Sequence, residues 1–253
     1  MTGGAPCPHY ALVDANMRFT LDFHAFGHPG HHMRYADVGS VRMEASPKLR
    51  GVCRGCGGDT IAKCGKHVIW HWSHRSRSHC DRWWESETAW HRDWKNRFPT
   101  DWQEIVLNDD ATGEKHIADV KTGHGVVVEF QRSTIEPSEV AAREQFYRRM
   151  VWVVDGLRND LDPWTFNVVR SGIDSNGFAG FAWHGRSKLF QRWHTTTPVF
   201  VDFGDHGFWR ICHFEPAKKR GVALIVDRNA FAEALIGGET DFSRNGGPAS
   251  PLG

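Results

Sequence analysis

The sequence predicts an α/β domain that is preceded by a small Cys- and His-rich module and followed by an α+β extension. Within residues 83–155 the predicted elements run helix, strand, strand, strand, helix, strand, the order of a compact unit around one sheet. Residues 51–82 instead combine Cys, His and Gly with little apolar periodicity, so this stretch cannot build a core of its own. Apolar runs return after residue 198 and predict further strands and one helix.

The elements of the α/β unit follow from apolar spacing. Aromatic residues recur at helical intervals over 83–98, and Pro99 ends that run. The next predicted elements are a strand at 102–107, a hairpin with strands at 116–120 and 126–131, a helix at 136–149, and an apolar strand at 151–155 that is buried on both faces. The extension has predicted strands at 198–203, 208–212 and 222–226 and a helix at 227–235, whereas residues 156–195 look irregular.

These patterns predict five segments. They are an N-terminal β segment (1–50), the Cys- and His-rich module (51–82), the α/β core (83–160), the α+β extension (161–238), and a polar, flexible tail rich in Gly and Pro (239–253). The sequence of the extension predicts no chemistry.

The overall charge of the chain is close to neutral. Its 253 residues include 31 Lys and Arg against 30 Asp and Glu. This balance excludes the strongly basic composition that would by itself indicate nucleic-acid binding, so any such function must come from local sites. The N-terminus lacks a basic start followed by an apolar run, and no stretch of about 18 apolar residues occurs. We therefore expect a cytoplasmic protein without a membrane partner.

The Cys- and His-rich module has the spacing of a zinc site. Cys53 and Cys56 are separated by two residues, and His71 and His74 repeat that spacing after 14 intervening residues. Four such ligands satisfy tetrahedral Zn²⁺ and leave no open position, so we expect a structural zinc ion. The glycines at 55, 57 and 58 allow the tight turn that brings both thiolates to one metal. Other residues could replace one of the four ligands, namely Cys64, His67, His79 and Cys80.

The predicted hairpin carries two acidic residues. If Val120 faces Val126, Asp119 lies opposite Val127 and Glu129 is its diagonal neighbour on the same face, followed by Gln131. Two carboxylates at that distance repel unless a cation lies between them, and hard oxygen ligands favour Mg²⁺ or Mn²⁺. The alternative is that Asp119 begins a turn and Glu129 is a solvated residue of an edge strand.

The whole run of motifs resembles the competence protein CoiA-like family of the PD-(D/E)XK nuclease superfamily. The resemblance rests on the Cys and His pairs above, on Glu87-x3-His91-x3-Lys95, on Ala118-Asp119-Val120, and on Glu129-Phe-Gln131-Arg-Ser. It covers roughly residues 50–160. It implies a restriction-endonuclease-like core and metal-dependent hydrolysis of DNA phosphodiester bonds, in DNA uptake, recombination, repair or defence.

The resemblance also implies residue roles. Asp119 and Glu129 would bind Mg²⁺ or Mn²⁺, and Glu87 would be a third carboxylate near the metal, with Glu85 as its alternative. Gln131 stands as a catalytic residue where the superfamily usually has Lys; a Gln can orient a water through its carbonyl or amide, but it cannot carry positive charge. The spacing of Glu87, His91 and Lys95 predicts one shared helix face, so His91 and Lys95 could contact phosphate or water as accessory residues.

Contacts to DNA are predicted only loosely. Arg75 and Arg77 lie beside several Trp residues and could follow a DNA backbone, and Arg143 could either contact phosphate or form an ion pair. Two other functions stay open: a DNA-binding module of the same fold without catalysis, and a zinc-stabilised interaction protein with no nucleic-acid role.

Overall fold

The computed structural model describes residues 32–76, 80–184, 187–193 and 196–239. In that part of the chain it is a mixed α/β structure, with two β-sheets and five α-helices. The first 31 residues of the predicted N-terminal segment, nearly all of the predicted tail, Arg77 and His79 lie outside the described residues. No described helix has the length and apolar character needed to cross a bilayer.

The smaller sheet is formed by the N-terminal part of the described chain. Its strands are β1 (His32–Met33), β2 (Tyr35–Val38), β3 (Val41–Glu44), β4 (Arg50–Val52), β5 (Asp59–Lys63) and β6 (His71–His74). They are arranged β1-β6-β5-β4-β2-β3, and every pair is antiparallel. Strands from before and after residue 50, which the sequence analysis assigned to two segments, therefore share one sheet.

The larger sheet has eight strands and continues from the core into the extension. They are β7 (Gln103–Asn108), β8 (Lys115–Lys121), β9 (Val127–Gln131), β10 (Met150–Asp155), β11 (Phe178–Ala182), β12 (Val199–Asp202), β13 (Phe208–Glu215) and β14 (Arg220–Val226). The order is β11-β14-β13-β12-β10-β9-β8-β7. β10 is parallel to β9 and β12, and the remaining neighbours are antiparallel.

Helices cover both faces of the larger sheet. They are α1 (Ala89–Lys95), α2 (Pro137–Tyr147), α3 (Leu161–Val169), α4 (Leu189–Arg192) and α5 (Arg228–Gly237). One apolar cluster joins α2, α3 and α4 to the sheet, and a second joins α1 and α5 to it. Residues of β10 alternate between the two clusters, with Trp152 and Val154 in the first and Val151 and Val153 in the second. The prediction of a strand buried on both faces is thus confirmed.

The first helix is shorter than the periodicity predicts. It begins at Ala89, because Thr88 caps it: the Thr88 hydroxyl accepts from the backbone N of His91, and the His91 side chain accepts the backbone N–H of Thr88. This reciprocal capping box fixes the residue at which the helix begins. Glu87 therefore precedes the helix, and the expectation that it shares a helix face with His91 and Lys95 was wrong.

The hairpin register also differs from the prediction. Val120 pairs with Val128 and Lys121 with Val127, two residues away from the predicted pairing of Val120 with Val126. The turn is the physical reason, since Thr122 N–H donates to the carbonyl of Val126 at 2.9 Å, and Gly125, at φ 82°, closes a short loop. A shift of two residues keeps every side chain on its predicted face, and it moves Asp119 from diagonal to opposite Glu129.

The stretch between β10 and β12 is more regular than the sequence indicates. Within the range 156–195, predicted as irregular, lie α3, β11 and α4. β11 pairs with β14, which follows it by about forty residues, so its partner could not be read from local sequence.

Candidate active site and metal centre

Four soft or borderline ligands converge beside the C-terminal ends of strands β4 and β6 in the smaller sheet. The ligand atoms of Cys53, Cys56, His74 and Cys80 all lie within 4.8 Å of one another. Cys53 Sγ is 3.4 Å from Cys80 Sγ, and Cys56 Sγ is 3.2 Å from His74 Nε2. No other group of three or more His, Cys, Asp or Glu side chains in the described residues converges as closely. A set of three thiols and one imidazole could hold a metal ion such as Zn²⁺.

Cys80, not His71, completes this group. His71 and His74 both lie on β6, and residues three apart on a strand point to opposite faces of the sheet. His71 Nδ1 instead lies 2.8 Å from the carbonyl of Ile69, and its ring stacks on His32. Two His residues with two residues between them can bind the same metal ion where the backbone turns. In an extended strand their side chains point to opposite faces of the sheet.

The local backbone and charge suit a thiolate site. The knuckle turn closes through the Gly57 N–H, which donates to the carbonyl of Cys53 at 2.8 Å, and Gly57 has φ 73°. The hydrogen bond between Cys53 and Cys80 lowers the pKa of Cys53 and raises that of Cys80, since the two sulfurs share one proton. Cys53 thus readily supplies a thiolate, the metal-binding form of Cys.

An acidic pocket lies next to this metal centre. It has a volume of about 60 Å³, which is room for an ion and a few waters. Cys80 lies in its wall, so the two sites adjoin. The charged side chains that line the pocket are Asp81, Glu85, Glu87, Lys95, Glu104, Asp119, Glu129 and Arg143.

Asp119 and Glu129 lie where the β8–β9 pairing ends, and the carboxylate of each accepts a hydrogen bond from the backbone of the other's strand. Glu129 Oε1 accepts from the backbone N of Asp119 at 3.2 Å, and Asp119 Oδ2 accepts from the backbone N of Phe130 at 3.0 Å. Burial, together with the charge of Asp119, raises the pKa of Glu129 to about 8. The two carboxylates are thus close enough to repel, as the sequence analysis required.

The ammonium of Lys95 lies among three carboxylates. Its Nζ is 3.0 Å from Asp119 Oδ1, 3.1 Å from Glu104 Oε1 and 3.4 Å from Glu87 Oε1. Burial lowers the pKa of Lys95, but these three carboxylates outweigh that effect and raise it well above its ordinary value. Lys95 is therefore a cation fixed in the acidic pocket.

Glu104 is a charged pocket residue that the sequence did not reveal. It lies on β7 with φ 45°, an uncommon conformation for a residue with a side chain. Its carboxylate accepts from the backbone N of Arg34 and of Tyr35 in the smaller sheet, besides contacting Lys95. The β7–β8 pairing sets it beside Asp119. Only this long-range pairing brings it to the site.

The two candidate acids that precede α1, Glu87 and Glu85, lie in different surroundings. Glu87 is buried and contacts Arg92 Nη2 at 2.6 Å as well as Lys95. Burial raises the pKa of Glu87, but Lys95 and Arg92 outweigh it and the pKa is lowered. Glu85 instead accepts hydrogen bonds from the backbone N–H groups of Arg132 and Ser133, just beyond β9. Glu87 is thus the acid beside Asp119 and Lys95.

His91 and Gln131 are buried but do not contact Asp119 or Glu129. His91 Nδ1 accepts the backbone N–H of Thr88, and its Nε2 has no hydrogen-bond partner and lies 3.7 Å from Glu85 Oε2. Gln131 Nε2 donates to the carbonyl and hydroxyl of Ser133, and its Oε1 has no hydrogen-bond partner. Of these two residues, only His91 lines the acidic pocket.

Of the three arginines predicted to contact DNA, the structure describes Arg75 and Arg143. Arg143 is buried, and its Nη1 lies 3.0 Å from Glu129 Oε2, so it forms an ion pair and is not a free phosphate contact. Arg75 is exposed and lies 3.7 Å from Asp59. Arg77 lies outside the described residues.

Asp81 joins the metal centre to the acidic strand. It directly follows Cys80, and its Oδ2 accepts from the backbone N of Ile117 on β8 at 2.7 Å. Its Oδ1 lies 2.8 Å from His116 Nδ1. The position of β8, and with it Asp119, is therefore tied to the segment that carries Cys80.

Comparison with known proteins gives no relative. No protein-family model, curated protein or solved structure matches this chain.

Proposed function

We propose that this chain is a metal-dependent DNA nuclease with a restriction-endonuclease-like core of the PD-(D/E)XK type, and that it is a member of the CoiA-like family. The observation that carries the proposal is the meeting of Asp119 and Glu129 from adjacent strands, beside the buried cation of Lys95. In this proposal the Cys53, Cys56, His74 and Cys80 group holds a structural Zn²⁺ ion, and the protein acts in the cytoplasm on DNA.

The donor chemistry of the acidic pocket fits Mg²⁺ or Mn²⁺. Carboxylate oxygens are hard ligands, and Asp119 and Glu129 supply them side by side. Burial and, after it, the charge of Asp119 raise the pKa of Glu129, and a bound dication would counter both by favouring the carboxylate form. Asp119 and Glu129 would hold the ion. When bound, it would supply Lewis-acid charge for phosphodiester hydrolysis.

The chain's own residues complete the electrostatics of the proposed reaction. Lys95 would provide the positive charge that Gln131 cannot, because its ammonium already contacts Asp119. Arg143 orients Glu129 by holding Oε2 while the backbone of Asp119 holds Oε1. Fixed charges of this kind stabilise a developing phosphate charge without reorganising during the reaction.

The test is a cleavage assay on single-stranded, duplex and branched DNA with Mg²⁺, Mn²⁺ or no added dication. Omitting the dication, instead of adding a chelator, leaves a bound zinc ion in place. We expect dication-dependent cleavage that Asp119→Asn and Glu129→Gln abolish. Glu233→Gln, which removes an exposed carboxylate on α5, is the control and should cut like the parent chain. Undiminished cleavage by both pocket variants would refute the proposal.

The same assay separates the proposal from a non-catalytic DNA-binding module. That function predicts salt-sensitive DNA binding with no cleavage under any dication. A chain that neither binds nor cuts DNA at low salt would instead favour a zinc-stabilised interaction protein.

A further inference from the structure

A second, larger cavity lies beside the acidic pocket. Its volume is about 290 Å³, and its wall comes from the segment after β9, the start of α3 and the α4 region. Four cations line it: Arg132, Arg158, Lys188 and Arg192. We call it the basic cavity.

The positive charge of the basic cavity is only partly neutralised. Arg132 pairs with the buried Asp155. Among the described residues, Arg158, Lys188 and Arg192 have no carboxylate within ion-pair distance, and Arg158 donates only to the Thr134 hydroxyl.

The acids of the basic cavity do not offset its cations. Asp155 and Asp162 are its two carboxylates, against four cations, and Asp155 is already paired with Arg132. Unpaired cations around a concave space attract an anion with several charges.

A shared wall connects the two cavities. Arg132 and Ser133 line the basic cavity, and their backbone N–H groups donate to Glu85, which lines the acidic pocket. Glu129 precedes Arg132 by three residues, which is about 10 Å along an extended chain. A DNA strand carries a phosphate at every nucleotide, so a strand that passes over both cavities presents a different phosphate to each.

We propose that the basic cavity binds a backbone phosphate of a DNA strand while a neighbouring phosphodiester of that strand lies at the acidic pocket. The position of the cleaved bond rests on the proposed function, but phosphate binding at the basic cavity does not. The acidic pocket has room only for an ion and waters, so the strand needs contacts outside it. Lys188 and Arg192 supply those contacts on the side of α4, and they set the direction in which the strand leaves the acidic pocket.

The experiment measures binding, so that it is independent of cleavage. In an Asp119→Asn background, a fluorescent single-stranded oligodeoxynucleotide is titrated with the parent and with Lys188→Ala/Arg192→Ala over a range of salt concentrations. Loss of two phosphate contacts should weaken binding about tenfold at low salt and reduce the slope of log affinity against log salt by about 1.4 for a single strand. Lys218→Ala/Arg220→Ala is the matched control, because both residues are cations that line neither cavity.

The outcomes decide the matter separately from the nuclease proposal. Equal affinity and slope for the cavity variant and the control variant would overturn the inference even if the parent chain cuts DNA. A weakened cavity variant would support it even if no dication produces cleavage. Absence of DNA binding by the parent at low salt would also overturn it. The inference would likewise be overturned if inorganic phosphate, at matched ionic strength, stabilised the chain against thermal unfolding while the chain did not bind DNA.

Discussion

Asp119 and Glu129 each accept a hydrogen bond from the backbone of the other's strand. The Glu129 carboxylate takes the N–H of Asp119, and the Asp119 carboxylate takes the N–H of Phe130, the residue after Glu129. On β8, the pairing with β9 covers only Val120 and Lys121. At Asp119 and Glu129 the side-chain contacts therefore take the place of the backbone hydrogen bonds that would otherwise continue the pairing. Both carboxylates are therefore fixed by main-chain contacts before any ion binds.

Replacing Asp119 should separate a structural from a chemical role. In Asp119→Ala the Phe130 N–H loses its acceptor, which costs about 1–3 kcal/mol of unfolding free energy when a buried donor is left unpaired. Asp119→Asn keeps an acceptor oxygen, so it should lose cleavage with a smaller loss of stability. Urea unfolding of both variants measures the difference, and equal destabilisation by Ala and Asn would contradict the role of this hydrogen bond.

The raised pKa of Glu129 predicts that the free energy of unfolding falls as the pH rises. Burial and the charge of Asp119 raise its pKa from the ordinary 4.5 to about 8, so between these values the folded chain holds a proton that the unfolded chain has released. This contribution to stability is complete below pH 4.5 and is lost as the pH rises through about 8. Unfolding of the parent and of Glu129→Gln across this range tests it.

Glu129→Gln should flatten that part of the pH dependence, because Gln does not titrate. Glu233→Gln, on exposed α5, should keep the slope of the parent. Addition of Mg²⁺ near pH 8 should stabilise the parent more than Glu129→Gln. A slope that is unchanged in Glu129→Gln would show that Glu129 is ionised in the folded chain over the whole range.

The zinc ligands can be separated by matched Cys and His variants. Cys80→Ser should lower both zinc content and thermal stability, since metal binding contributes folding free energy. His71→Ala should keep the zinc, because His71 lies outside the converging group. Cys212→Ser is the control for loss of a thiol elsewhere. Elemental analysis of the purified variants gives the result, and zinc retained in Cys80→Ser but lost in His71→Ala would reverse our assignment.

The sequence predicted those parts of the fold that depend on local pattern. The aromatic spacing before Pro99 and the apolar run of β10 give the helix and the central strand, since burial on one or two faces leaves a direct trace in the residues. It also predicted that Asp119 and Glu129 lie close together: they share a face in either register, because the two registers differ by two residues.

The sequence could not predict features set by backbone conformation or distant pairing. The sequence predicts His71 as a ligand because a spacing of two residues does not distinguish a strand from a turn. In the structure, His71 and His74 lie on one extended strand. Glu104 reaches Lys95 only through the pairing of β7 with β8 and its own positive φ. Nothing in the residues around Glu104 indicates either property.

The last prediction concerns Lys95, which occupies the position between carboxylates that a dication could share. Removing the ammonium in Lys95→Met leaves the charges of Glu87, Glu104 and Asp119 without their common partner. Breaking a buried ion pair from one side typically costs about 3–5 kcal/mol of unfolding free energy. We therefore expect a marked loss of stability without added dication.

A dication can replace part of the charge that Lys95→Met removes. Mg²⁺ or Mn²⁺ should raise the stability of this variant more than that of the parent, whereas NaCl at the same ionic strength should not. Cleavage should nevertheless fall roughly 100- to 1,000-fold, because a fixed charge beside the phosphate is lost. Thermal unfolding and cleavage rates are measured on the same preparations. If Mg²⁺ stabilised neither chain beyond the effect of NaCl, no dication would be held near Asp119, and the proposed metal site would have to be abandoned.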